Sequence, residues 1–322
     1  MEPEPPGQSQ LKTDLVLEGG GVKGIGLAGA YTVLQERDYQ IGRVAGTSAG
    51  AIVGSLIAAG CSSEQVIKIM NELDYRDFRD STLLTRLGPP GKFLSLLVSN
   101  GLYKGDFLRS WISEHLANCG IRIFRDLKLT GPEYEHLPEN ERYKLVVVTA
   151  DISKGQMVYL PWDYVKYGLN PDEQPVANAI RASMSIPFFF KPAHIKRNTL
   201  VDGGVLSNFP ITIFDSTATW PTIGVKLSSK ETAMQVPRTV KGPLSLATAL
   251  FATTTSGHDQ RHLDNPATQA RTIFIDTAKI QSTNFDITEE EQTLLFTNGK
   301  KAADKFLDAW NFEAYKQQFP KN

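Results

Sequence analysis

Arg43-Val44-Ala45-Gly46-Thr47-Ser48-Ala49-Gly50-Ala51-Ile52-Val53-Gly54-Ser55-Leu56-Ile57-Ala58-Ala59-Gly60 decides the fold. Arg43-Val44-Ala45 is a short strand-like piece, and Ala49 to Ala59 is a run of small and apolar helix formers that stops at Gly60. Between them, Gly46-Thr47-Ser48-Ala49-Gly50 spells G-x-S-x-G, the nucleophile-elbow pattern, in the strand–turn–helix setting the pattern requires. Gly46 and Gly50 suit a crowded, strained backbone that a Cβ would obstruct. Ser48 is then presented at a helix N-terminus, where unpaired amides and the positive dipole end favour negative charge developing beside it. The same pattern also arises by chance in loops rich in glycine and serine, so the flanking elements carry the reading.

Upstream, Asp14-Leu15-Val16-Leu17-Glu18 reads as a strand and Gly24 to Leu34 as a helix, joined by Gly19-Gly20-Gly21-Val22-Lys23-Gly24. Gly19, Gly21 and Gly24 satisfy G-x-G-x-x-G, which in this setting is also a dinucleotide-binding fingerprint. That fingerprint wants an acid about 20 residues on, at the end of the second strand, to hold a ribose hydroxyl. Here that strand ends in Ala45-Gly46-Thr47-Ser48, a serine elbow with no acid. The competing reading is a loop whose backbone N–H groups face an oxyanion, the largest single contribution in most acyl-transfer sites. Lys23 either adds positive charge to that loop or ties it down.

Downstream, Asn198-Thr199-Leu200-Val201 reads as a strand running into Asp202-Gly203-Gly204, then Leu206-Ser207-Asn208-Phe209-Pro210. An Asp-Gly pair alone is most often a turn. A serine nucleophile needs a base, usually histidine, yet none of His115, His136, His194, His258 and His262 stands in a recognisable triad context. His258 and His262 are spaced like the pair of a zinc helix, but Asp259 stands where that motif has Glu, and both histidines read as surface residues.

Taken in order, the G-G-G-x-K-G loop, the G-x-S-x-G elbow and the D-G-G turn resemble the patatin-like phospholipase family. The segment Ala179-Ile180-Arg181-Ala182-Ser183-Met184-Ser185-Ile186-Pro187 resembles that family's helix and turn shortly before its D-G-G/A turn. The resemblance runs from about Leu11 to at least Thr222, and weakens towards the C-terminus. It implies a Ser–Asp dyad, carried here onto Ser48 as nucleophile and Asp202 as base, and an oxyanion hole from the Gly20, Gly21 and Val22 amides. Gly19, Lys23, Gly24, Gly46, Gly50, Gly203 and Gly204 support these turns. The resemblance further implies lipid esters, phospholipids among them, as substrates, transient contact with a lipid surface, and no metal or other cofactor. An Asp titrates near pKa 4 when unperturbed, so a base of this kind calls for a dry pocket that raises its pKa.

Length and composition agree with a one-domain enzyme. A chain of 322 residues with 41% hydrophobic content can bury a large core. The formal net charge of -1 speaks against a bulk electrostatic partner such as nucleic acid. Cys61 and Cys119, neither paired in C-x-x-C nor numerous, read as core or incidental thiols of a reducing compartment. Residues 1–10 read as a flexible tail and not as a signal peptide, and no run approaches the roughly 18 apolar residues of a membrane span. The expectation is a cytoplasmic protein, soluble or peripherally membrane-associated, with signal-independent export left open. Any activator leaves no sign in these residues.

Strand candidates alternate with helical stretches along residues 11–313, the pattern of a mostly parallel sheet covered by helices on both faces. After the elbow come Tyr143 to Ile152, Gln156 to Leu160, Leu200-Val201, Thr222 to Leu227 and Arg271 to Asp276. The serine and the aspartate then fall at carboxyl ends of strands, where open α/β sheets place ligands. Thr288 with Glu291 makes a capping box opening a C-terminal helix, and 314–322 reads as a tail. Residues 78–104, with Gly88-Pro89-Pro90-Gly91 and Phe93-Leu94-Ser95-Leu96-Leu97-Val98, read either as a lid or membrane-facing insertion or as a core helix behind a loop. Phe188-Phe189-Phe190 reads as an acyl-chain lining or as packing. The function expected is a lipid acyl hydrolase of phospholipase A or lysophospholipase type. The alternatives are a lipid transacylase using the same residues, or a non-catalytic anion- or nucleotide-binding module.

Overall fold

The computed structural model describes residues 11–78, 101–217, 220–228, 265–278, 280–282 and 284–320, with a few positions between 240 and 254. Its framework is a sheet whose strands lie in the order β10-β9-β1-β2-β4-β8-β7, with β5 paired to β4. The strands are β1 (Lys12–Leu17), β2 (Gln40–Thr47), β4 (Leu145–Asp151), β5 (Gln156–Leu160), β7 (Ala193–Ile195), β8 (Asn198–Asp202), β9 (Thr222–Lys226) and β10 (Thr272–Phe274). β3 (Gly101–Tyr103) and β6 (Phe188–Phe190) form a separate parallel pair. From β10 to β4 the sheet is parallel, and β4, the β1 core residues and β9 are buried on both faces, as parallel strands covered by helices must be.

The helices are α1 (Ile25–Glu36), α2 (Ala49–Ala58), α3 (Ser63–Glu72), α4 (Asp106–Asn118), α5 (Val176–Ser183), α6 (Pro266–Ala270), α7 (Glu289–Ala309) and α8 (Phe312–Gln318). α2 has no polar face to give: all ten of its residues are buried, so it lies inside the layer and not on it. α7 covers α1, and it starts at the expected capping box, with Glu291 N donating to Thr288 Oγ1 (3.2 Å) and Thr288 N to Glu291 Oε2 (2.9 Å). The stretch from residue 314 read as a tail begins within α8, whose Tyr315 ring lies against Trp310 at 5.4 Å. No helix among the described residues is long and apolar enough to cross a membrane.

The parallel order ends at β4, whose pairings with β5 and β8 are antiparallel, as is that of β7 with β8, and the β4–β8 pairing builds the site. β8 runs antiparallel to β4. Thr47, the last residue of β2, pairs with Val148, and β4 continues past it through Thr149, Ala150 and Asp151. On that overshoot β8 pairs backwards, so that Asp202 stands opposite Thr149. β4 is therefore a ruler that brings the end of β8 against the end of β2, with Thr47 and Asp202 opposite the adjacent residues Val148 and Thr149. Of the 78–104 stretch, residues 79–100 lie outside the described residues. Its flanks are anchored, Phe78 in the core at 2% exposure and Gly101–Tyr103 in β3.

Candidate active site

Ser48 stands between β2 and α2 with φ 52° and ψ −121°. A non-glycine residue at positive φ is strained by roughly 1–3 kcal/mol, and such strain gathers at functional sites. The geometry needs glycine nearby because α2 starts tight against β1: a Cβ on Gly50 would lie 2.3 Å from the Leu17 carbonyl oxygen. The Ser48 amide donates to Ser183 Oγ (2.8 Å), and its hydroxyl donates to Met184 Sδ (3.3 Å). Ser48 is only 4% exposed, so the elbow lies under cover in this structure and not at an open surface.

Asp202 closes β8 at 1% exposure. Its Oδ1 accepts from the Gly204 amide (2.8 Å), while Oδ2 is buried and, among the described residues, makes no hydrogen bond of ordinary length. Burial pushes the carboxyl up to about 7, against the opposing pull of the Gly204 amide and of the neighbouring Ser48 hydroxyl. The Ser48 proton points at Met184 while the hydroxyl still lies close enough to favour the Asp202 carboxylate, and a hydroxyl rotor can move from one acceptor to the other. The Asp202 backbone amide donates to the Ser185 carbonyl (2.9 Å). Thr47 meets the turn that follows, since a Cβ on Gly203 would lie 3.1 Å from Thr47 Cγ2.

The glycine loop reaches the same point from β1. A Cβ on Gly19 would lie 3.1 Å from the Ser48 Cβ, and one on Gly24 would lie 3.1 Å from the Ala49 Cβ. Gly21 takes φ +55°, the left-handed region that glycine alone enters without cost. Of the three amides expected to form an oxyanion hole, Val22 N donates to the Ser282 carbonyl (3.1 Å). Among the described residues the Gly20 and Gly21 amides meet no protein acceptor. The Lys23 amide closes the loop onto the Gly20 carbonyl (3.1 Å), so at least its backbone ties the turn down.

Several residues that hold the three turns together were not legible as functional. Asn208 braces the first loop against the third turn: its side chain donates to the Gly19 carbonyl (2.8 Å) and its carbonyl accepts from the Gly19 amide (3.2 Å). Beneath the loop, buried Glu18 pairs with Lys226 and accepts from the Leu227 amide, tying the ends of β1 and β9. Phe189 packs on Tyr103 (5.7 Å between centroids) and Phe285 (5.5 Å), and Phe285 follows closely on Ser282 at the glycine loop. In the same trio Phe190 is buried and Phe188 is 43% exposed at φ 68°. The cysteines are less incidental than their spacing suggests, since the free thiols of Cys61 and Cys119 lie 3.0 Å apart. His258 and His262 lie outside the described residues, and no cluster of metal-ligating side chains occurs among the described ones.

Comparison with known proteins shows the family and a likeness of fold. The family model for patatin-like phospholipase matches residues 15–215, and the chain belongs to that family. An uncharacterised Bacillus subtilis protein, YqhO, is 38% identical over 93% of this chain and 99% of its own length. A probable lipid hydrolase, 463L of Invertebrate iridescent virus 6, is 28% identical over 62% of this chain and 62% of its own length, less than two thirds of either. Among solved structures, VipD from Legionella pneumophila superposes with a TM-score of 0.54 at 19% identity, covering 92% of this chain and 67% of that one, a likeness of fold. Family and viral relative together support a hydrolase acting on lipids.

Proposed function

We propose that this chain is a lipid acyl hydrolase of phospholipase A or lysophospholipase type, with Ser48 as nucleophile and Asp202 as general base. The observation that carries the reading is the carboxyl of Asp202, buried beside a strained serine and raised to about 7. A base is most useful when its pKa lies near working pH, and an ordinary carboxyl is several units too acidic for that. Desolvation by the surrounding core removes this objection to aspartate as a base.

In the first step the Ser48 hydroxyl turns from Met184 to Asp202 and attacks the ester carbonyl as its proton passes to the carboxylate. The Gly20 and Gly21 amides, supported by the N-terminus of α2, hold the oxyanion that forms. Asp202 then returns the proton to the departing alcohol, which leaves the acyl group on Ser48. Water, deprotonated by Asp202, attacks the acyl-enzyme and releases the fatty acid, with the proton going back to Ser48. The Val22 amide, already engaged by Ser282, keeps the loop in place in this scheme and leaves the oxyanion to its two neighbours.

A fluorophosphonate probe tests the reading. Labelling confined to Ser48, and lost in Asp202→Asn, is the expected result; a chain that stays unlabelled while folded would overturn it. If an acceptor alcohol receives the acyl group in place of water, the same intermediate serves a transacylase, and acylated products would reveal it.

A further inference from the structure

Three consecutive residues, Ser183-Met184-Ser185, touch both members of the proposed pair, and none is itself placed to react. The Ser183 hydroxyl is completely buried at the C-terminal end of α5. It has one proton, and it donates that proton to the Val148 carbonyl at 2.6 Å. A lone pair must therefore face Ser48, whose amide donates to it at 2.8 Å. Two residues on, the Ser185 carbonyl accepts from the Asp202 amide. Arg181 holds this bracket from behind, donating to Ser185 Oγ (2.7 Å) and to the carbonyls of Lys191 (2.8 Å) and Lys104.

We infer that Ser183 is a positioning residue for the reaction: its hydroxyl, oriented by Val148, pins the amide of Ser48 and with it the strained backbone that aims the nucleophile. The inference rests on Ser48 being the nucleophile. An elbow residue at φ 52° relaxes unless its surroundings over-determine it. The amides of α2 hold only its carbonyl, which accepts from Ala51 N (2.9 Å) and Ile52 N (3.3 Å); the Ser48 N–H, at the N-cap, has no acceptor within that helix. Ser183 supplies the missing partner from another element. Since β4 provides both the Val148 carbonyl and, through Thr149, the pairing of Asp202, a single strand references both reacting groups. Loss of the hydroxyl leaves the buried Ser48 amide without an acceptor and lets the elbow shift. A displacement of about 1 Å at a reacting atom costs on the order of 100-fold in rate.

The test is the kinetics of fluorophosphonate labelling in Ser183→Ala and, in case that variant folds poorly, in Ser183→Cys, which keeps the shape with a much weaker acceptor. Ser55→Ala is the structural control: Ser55 is equally buried in α2, and among the described residues its hydroxyl bonds only the Ile52 carbonyl (2.7 Å). The maximal labelling rate is expected to fall roughly 10- to 100-fold in Ser183→Ala and by less in Ser183→Cys. The probe concentration for half-maximal rate and the pH midpoint should stay unchanged, because pocket and Asp202 remain in place. Ser55→Ala should lose comparable stability and label at the wild-type rate. Equal maximal rates in wild type and Ser183→Ala would overturn the inference while leaving Ser48 as nucleophile. Equal slowing in Ser55→Ala would overturn it too, by reducing the effect to general loosening. Absence of labelling in the wild type would instead overturn the proposed function itself.

Discussion

Replacing Asp202 with asparagine should make the protein more stable, and the gain should depend on pH in a prescribed way. The Asp202 carboxyl is raised to about 7 in the folded chain, mainly by desolvation, and returns to the ordinary range near 4 on unfolding. A raised carboxyl holds its proton in the folded state, so its contribution is undiminished below about pH 4. Stability is then lost as pH rises towards 7, because the unfolded chain releases a proton that the folded chain keeps. Above that the penalty is constant, at roughly 4 kcal/mol for a shift of this size. Asparagine has the same shape, still accepts the Gly204 amide through its side-chain oxygen, and does not titrate. The stability difference between Asp202→Asn and wild type should therefore grow in favour of the variant by roughly 2–3 kcal/mol between about pH 5 and pH 8. Other titrating groups cancel in the difference. Urea unfolding of both proteins across this range measures it, provided that the m-values agree. A difference that is flat with pH, or that shrinks as pH rises, would refute the raised pKa and with it the case for Asp202 as a base.

Other expectations follow from particular contacts. Arg43→Ala should cost about 3–5 kcal/mol in urea unfolding, because it strips a fully buried Asp14 of its guanidinium partner (2.6 Å); a loss under about 1 kcal/mol would mean that Trp220 and the Arg43 amide suffice for that carboxylate. Gly21→Ala should destabilise by roughly 2–4 kcal/mol and slow fluorophosphonate labelling, since φ is +55° there and the added Cβ would lie 2.0 Å from the Ser282 carbonyl oxygen. Wild-type labelling and stability in that variant would show the glycine loop to be free to move. Phe189→Ser should lower hydrolysis of long-chain esters about tenfold more than that of short ones, as each methylene removed from apolar contact is worth about 0.8 kcal/mol. Equal loss on both would make the aromatic cluster at Tyr103 and Phe285 packing only.

The elements around Ser48 were legible because their local signals agree: a strand, a glycine-flanked serine and an apolar helix all occur where the pattern places them. The capping box at Thr288 was equally plain, since both of its bonds are local in sequence. What the chain did not show were interactions between distant segments. Asp202 closes a strand as its sequence suggests, but β8 is antiparallel and its pairing to β4 depends on register, which local sequence does not carry. Asn208, Glu18 with Lys226, and the Ser183–Ser185 bracket act through partners up to 209 positions away, and a polar residue's type does not name its partner. The Cys61–Cys119 contact spans 58 positions and follows from the meeting of two helix ends, which no spacing rule for cysteine motifs covers.

The central claim is that this fold hydrolyses lipid esters through Ser48. Wild type and Ser48→Ala, incubated with mixed phospholipid vesicles and neutral-lipid emulsions, should differ in released fatty acid by at least about 10⁴-fold, because removal of a nucleophile leaves only the residual effect of oxyanion hole and binding. Mass spectrometry of the products would identify the lipids consumed and the ester bond attacked. Equal fatty-acid release by both proteins would contradict the claim. So would a wild type that binds lipid, leaves every ester intact and never labels with fluorophosphonate.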